Sequence, residues 1–172
     1  MRLAFAGPDP ASVADDPEGL DTIQDIIAAF QALDPEIQKD VGIFSLPMAS
    51  RRENALIVNA LQRCSDIVVQ NSLQEGFGLT VTEAMWKRSA VLASSAAGIR
   101  QQIRQDLDGH LVHDAENPEE IAAAMWRLLI DQDEREMLGR SAQQRVHDEF
   151  LVFAHVRKWM ELTADQVRER WG

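Results

Sequence analysis

The sequence predicts an α/β fold, a parallel sheet with helices on both faces, from three observations. Short apolar runs alternate with stretches of helical periodicity in a βαβα order. The runs are continuous, as in strands buried on both faces, rather than alternating apolar with polar. Glycine-containing loops follow them at Gly7, at Gly76 and Gly78, and at Gly98. In a doubly wound sheet, ligands bind in loops of this kind beyond the carboxyl ends of the strands.

The elements follow in order. Leu3-Ala4-Phe5-Ala6 reads as a strand stopped by Gly7-Pro8, and residues 9–19 as an acidic loop carrying Pro10 and Pro17. Residues 20–33 place Leu20, Ile23, Ile26, Ile27, Phe30 and Leu33 on a helical stripe. A second strand covers residues 41–46 and stops at Pro47. A second helix covers 53–63, with Leu56, Ile57, Ala60 and Leu61 on one face. A strand at 67–69, a helix at 81–87, a strand at 90–93 and a short strand at 110–112 come next. The last third reads as helical. Asn117-Pro118 opens one helix with Ile121, Met125, Leu128 and Leu129 along a face, residues 134–150 form another, and 151–171 carry Val152, Val156, Trp159, Thr163 and Val167 at helical spacing. With no repeat, low-complexity tract or linker, residues 1–172 are expected to form a single domain with C-terminal helices at about 117–171.

Composition bounds the function. A formal charge of −11 argues against general nucleic-acid binding, which relies on a basic surface. No apolar run approaches the ~18 residues of a membrane span, and Met1-Arg2 with four apolar residues is too short for a signal peptide. A single cysteine, Cys64, allows no internal disulfide, fits a reducing cytoplasm, and reads as a buried structural thiol. The four histidines show no metal-ligand spacing and read as surface or packing residues. No metal or cofactor is expected.

The most informative stretch is Glu75-Gly76-Phe77-Gly78-Leu79-Thr80-Val81-Thr82-Glu83, in which two glutamates bracket a loop between strand and helix. A helix start there presents unpaired N–H groups and a favourable dipole to an anion. Glu75 in the loop and Glu83 in the first helical turn can accept hydrogen bonds from sugar hydroxyls. Such a combination suits a nucleotide-sugar. Thr80-Val81-Thr82-Glu83 equally fits a capping box in which Glu83 serves the helix rather than a ligand.

These residues carry a resemblance. Residues 57–112 resemble the C-terminal domain of retaining glycosyltransferases of the GT-B fold, whose signature is Glu, seven residues, Glu, with Gly-Phe-Gly after the first. Ile57-Val58-Asn59-Ala60-Leu61-Gln62-Arg63 and the run from Glu75 through Met85-Trp86-Lys87 resemble trehalose synthases of the glycosyltransferring type. The resemblance implies a Rossmann-like, nucleotide-sugar-binding half of a GT-B fold. Its reaction would move glucose with retention from a nucleoside diphosphate glucose to glucose, giving trehalose, in a cytoplasmic enzyme of trehalose synthesis. It assigns Glu83 to the donor ribose, Glu75 to the transferred sugar as the catalytic carboxylate, the backbone of Gly76, Phe77, Gly78 and Leu79 to the sugar and diphosphate, and Thr80 with Leu79 to the phosphates.

The departures are equally specific. The acceptor-binding N-terminal domain is not in this sequence, nor is the strand and loop that carry an Arg and a Lys gripping the diphosphate. Arg51, Arg52, Arg100 and Arg104 are available but match no motif for that pair. Where the family has Asp-Gly-x-x-Gly, Gly109 is kept and the earlier glycine is replaced. The expectation is a donor-binding half that is inactive alone and needs an N-terminal-domain partner chain or a homodimer. The alternatives are a non-catalytic nucleotide-sugar-binding or regulatory module, and a decayed GT-B relative or epimerase.

Overall fold

Five strands and seven α-helices alternate through the described residues of the computed structural model, which are 1–9 and 17–171. The expected acidic loop falls largely at residues 10–16, outside them. The strands group into two parallel sheets, a pair and a triple, within two compact units, Met1–Ala60 and Leu61–Gly172.

In the first unit, β1 (Leu3–Pro8) pairs in parallel with β2 (Val41–Leu46), Leu3 opposite Val41 and Pro8 opposite Leu46. The far edge of β1 has no strand beside it among the described residues. Helix α1 (Pro17–Ala32) connects them, with a one-turn helix, α2 (Pro35–Gln38), that the periodicity does not reveal. Its signal is local. The Asp34 carboxylate accepts from the Glu36 N–H at 2.8 Å and Pro35 takes the first helical position. Gln38 Nε2 then donates to the Leu33 and Phe30 carbonyls at 3.0 and 3.1 Å, closing the end of α1.

Helix α3 (Arg51–Cys64) carries the chain toward the second unit. Its predicted apolar face is rotated. Leu56 and Ala60 are exposed, and the one fully buried side chain is Gln62. Gln62 is buried because it is bonded. Its amide reaches the Thr80 carbonyl at 3.3 Å and receives the Lys87 ammonium, while its own carbonyl takes the Ser89 hydroxyl at 3.1 Å. Cys64, the last helical residue, is exposed, contrary to the expected buried thiol. Two positions after the buried Gln62, it points to the other side of the helix.

The second unit is built on β3 (Ile67–Gln70), β4 (Ala90–Ser94) and β5 (His110–Val112), parallel and in that order. All five residues of β4 are buried, as a central strand requires. Val91 and Ala93 face one core with Val81, Ala84 and Met85 of α4 (Leu79–Trp86), and with Ala142 and Val146 of α6 (Gln132–Glu149). Leu92 faces the other, with Val112, Leu138, and Ala124 and Leu128 of α5 (Pro118–Ile130). The period-two alternation of one strand thus fills both layers.

Asn117 caps α5 as predicted, its Oδ1 accepting from the Glu119 and Glu120 N–H groups at 3.1 Å each. Arg135 of α6 donates to the Leu128 and Leu129 carbonyls at 2.6 and 2.8 Å, so the first turns of α6 cap the end of α5. In α7 (Val152–Trp171) the expected apolar stripe is present but uncovered. Val152, Val156, Trp159 and Val167 are all more than half exposed, and among the described residues of this helix Ala154 alone is buried. Among the described residues no helix is long and apolar enough to cross a membrane.

Candidate functional site

The site is assembled at the carboxyl ends of β3 and β4. The loop after β3 is pinned at its root. Buried Ser94 donates to the Ser72 carbonyl, Gln70 Nε2 to Ser72 Oγ at 2.8 Å, and Asn71 Nδ2 to the Ala115 carbonyl at 2.7 Å. Further along, the Gly98 N–H donates to the Glu75 carbonyl at 3.0 Å. Gly98 is a glycine because the loop lies directly on it. A Cβ there would sit 2.5 Å from the Gly76 carbonyl and 2.7 Å from that of Glu75.

Gly78 ends the loop and opens α4. It is buried, with φ 77° and ψ 62°, a left-handed conformation that glycine adopts without a Cβ penalty. Its carbonyl accepts from the Val81 and Thr82 N–H groups at 3.1 and 3.3 Å. The preceding N–H groups, of Gly78, Leu79 and Thr80, have no acceptor among the described residues. Three consecutive orphan donors at the positive end of a helix are a ready anion cradle.

This geometry corrects the capping-box alternative. The cap is Gly78 and no side chain caps α4. Thr80 is already the second helical residue, and Thr82 Oγ1 bonds back to the Leu79 carbonyl at 3.0 Å. Because α4 starts at Leu79, two residues before the predicted start, Glu83 is its fifth residue rather than part of the first turn. Its side chain is half exposed, and the nearest cation is Lys87 at 3.9 Å on the next turn. That distance is a loose ion pair and leaves the carboxylate able to accept from a ligand. Glu75 is half-buried and, with Leu73, Gln74, Gly76 and Ala97, lines an open hollow of about 550 Å³. Phe77, Leu79 and Thr80, which follow in the chain, are exposed. The motif residues from Glu75 to Thr80 therefore belong to one loop and one helix start, and Glu83 lies a turn further along the same helix.

Residues not legible in the motif hold the loop from behind. Gln102, 1% exposed, donates from Nε2 to the Phe77 carbonyl. The Phe77 ring meets Phe150 edge-on, centroids 6.1 Å apart at 74°. Arg145 lies over Phe150 at 5.6 Å and donates to the Gln102 and Gln101 carbonyls at 2.6 and 3.0 Å. Of the arginines considered from sequence, Arg51, Arg52 and Arg100 are exposed, whereas Arg104 is committed. Its guanidinium grips Asp108 through two bonds of 2.6 and 2.8 Å. Asp106, standing where the resemblance has a glycine, takes the positive φ of 55° that the turn demands. Among the described residues no cluster of His, Cys, Asp or Glu is arranged to hold a metal ion.

Asp108 is fully buried and also accepts from Ser141 Oγ at 2.7 Å, tying this turn to α6. Burial alone raises its carboxyl, but the hydrogen bonds from Arg104 and Ser141 and the Arg104 charge outweigh it and hold the group below the usual carboxylate range. A depressed folded-state value means that this stability is present above the ordinary carboxylate pKa and is lost as pH falls through the lower folded one. Asp108→Asn is therefore expected to lower the urea midpoint near neutral pH. The gap to the wild type should close in acid, and a gap of constant size would show that the carboxylate charge is not what stabilises.

The family model described as "Glycosyl transferases group 1" matches residues 47–145, more than half of the chain. The chain belongs to the group 1 glycosyl transferases. This group 1 chain is 39% identical over 105 residues to the trehalose synthase of Thermococcus litoralis, a match covering 61% of the chain and 25% of that enzyme. It thus spans about a quarter of the length of the curated relatives it matches. Among solved structures, the sucrose-phosphate synthase of Thermosynechococcus elongatus superposes with a TM-score of 0.74 at 21% identity, covering 98% of this chain and 39% of that one. HepE of Anabaena, solved with UDP-glucose, superposes with a TM-score of 0.71 at 16% identity, covering 95% and 41%. These neighbours are GT-B glycosyltransferases, so the α/β architecture is one half of that fold.

Proposed function

We propose that the chain is the donor-binding half of a retaining glycosyltransferase that moves glucose from a nucleoside diphosphate glucose, with glucose as acceptor and trehalose as product. The observation that carries this reading is the run of three unpartnered N–H groups at Gly78, Leu79 and Thr80, set between two carboxylates at the carboxyl ends of parallel strands. The diphosphate fits the N–H cradle, where the helix start stabilises the charge that develops on the leaving group. Glu83 accepts from the ribose hydroxyls. Glu75, at the mouth of the hollow, meets the transferred sugar. The trehalose synthase relatives support the choice of sugar and product, and the UDP-glucose in HepE supports the donor class. Cytoplasmic residence goes with soluble, nucleotide-fed chemistry of this kind and belongs to the same proposal.

Glu83→Gln tests it. The substitution replaces a charged acceptor by a neutral one at an exposed position, so affinity for nucleoside diphosphate glucose should fall by about 1.5–3 kcal/mol with little change in melting temperature. Calorimetric titration of both proteins reads this directly. Equal affinities would remove Glu83 from the site.

We also propose that residues 1–172 form one nucleotide-sugar-binding domain that works with a further, acceptor-binding domain, on a partner chain or in a homodimer. The uncovered stripe of α7 and the unpaired edge of β1 are surfaces that association would cover. Sedimentation at micromolar concentration should show self-association or capture of that domain, and a monomer indifferent to it would contradict this.

A further inference from the structure

We infer that Gln102 is a positioning residue that aims the Gly78 N–H out of the loop toward the diphosphate of the donor, an inference that rests on the donor-binding reading above. The Phe77–Gly78 peptide is planar and trans, so its carbonyl and its N–H point in opposite directions. Gln102 Nε2 holds the Phe77 carbonyl toward the buried side of the loop. The Gly78 N–H is thereby turned the other way, and it has no acceptor among the described residues.

A device of this kind is needed because residue 78 is glycine. Glycine tolerates φ of either sign, so this peptide plane could turn over at little cost, and the carbonyl would then face the phosphates. One hydrogen bond from a buried amide selects the orientation that binds an anion. The other end of that amide shows that packing is not its purpose. Gln102 Oε1 is buried with no partner in the described structure, a cost that an apolar residue of the same length would not carry. The Gln102 backbone is fixed in turn, its N–H bonded to the Ile99 carbonyl at 2.8 Å and its carbonyl to Arg145 Nε at 2.6 Å. Arg145 is anchored by Glu149 at 3.0 Å and carries Phe150, whose ring supports Phe77. Helix α6 therefore orients both the carbonyl and the ring of Phe77 without touching the ligand.

The test uses amide-resolved NMR titration of the whole chain with UDP, ADP and GDP, and with the nucleoside of whichever binds tightest. In the wild type, the Gly78 amide proton should move downfield with the diphosphate and stay in place with the nucleoside. Gln102→Met keeps the length and removes the donor. It should weaken diphosphate binding about ten-fold or more and leave nucleoside binding unchanged. A loss shared equally by diphosphate and nucleoside would mean a merely structural role and overturn the inference. So would diphosphate binding that leaves the wild-type Gly78 amide unmoved, a result that needs no variant to fold. If none of the three diphosphates binds the wild type, the donor-binding reading itself fails, and this inference falls with it.

Discussion

Gly98→Ala is expected to abolish measurable nucleotide-sugar binding while leaving most of the fold in place. The new Cβ would lie 2.5 Å from both the carbonyl carbon and oxygen of Gly76. These are backbone atoms of the loop, not the end of a flexible side chain, so the loop itself must move. Its φ of −68° is open to any residue, which makes the effect one of space rather than of backbone strain. Overpacking at such a contact costs about 1–3 kcal/mol of stability. The larger effect falls on the site. The same displacement breaks the Gly98 N–H bond to the Glu75 carbonyl and shifts Glu75, Gly76 and the Gly78 turn together. A shift of about 1 Å in a positioned group can cost on the order of 100-fold. Thermal melting and donor titration on the same sample separate the two. Unchanged affinity would show that the Glu75 loop does not bind the donor.

The second expected result is that the 172-residue polypeptide alone forms no detectable trehalose from nucleoside diphosphate glucose and glucose. It binds the donor in this account, while the acceptor hydroxyl is oriented against the anomeric carbon by the further domain proposed above. Orienting the two reactants supplies about 7–11 kcal/mol of barrier reduction in well-positioned reactions. Among the described residues, Arg104 is bound to Asp108 and Arg145 to backbone carbonyls, while Arg51, Arg52 and Arg100 are exposed, Arg100 on the turn after Gly98. Supplying the acceptor-binding domain in trans should bring turnover back. Robust synthesis by the polypeptide by itself would contradict the division of labour proposed here.

The parts legible in the sequence are those governed by local rules. All five strands were readable as short apolar runs, but only β4 is buried along its whole length; β1 has no buried residue and β2 only Leu46, so the expected cover on both faces is met at β4 and not in the first pair. The Asn117-Pro118 start of α5 was readable because a cap and a first-turn proline act within three residues. The Glu75 to Glu83 motif was legible through its glycines and its resemblance, and its residues do run from one loop into one helix, with Glu83 past the first turn. What sequence could not show depends on contacts distant along the chain. The start of α4 was misplaced because Gly78, not a Ser or Thr, is the cap, in a left-handed turn where a side chain would press on Ile99, Glu75 and Gln102. Gln102 itself sits between Ile99 and Ile103 with no pattern to mark it, and its partner Phe77 lies 25 residues earlier. The exposure of Leu56 and Cys64 was missed because Gln62, a polar residue, faces inward to bind Thr80 and Lys87. Periodicity counts apolar residues and does not register a buried amide.

The central claim is that a nucleotide-sugar binds against the start of α4, and a crystal structure of the chain soaked with UDP-glucose tests it most directly. The account predicts the diphosphate within hydrogen-bonding distance of the Gly78, Leu79 and Thr80 N–H groups, the ribose hydroxyls on Glu83 and the glucose beside Glu75. A donor bound elsewhere on the chain, with those three N–H groups still unpartnered, would contradict it.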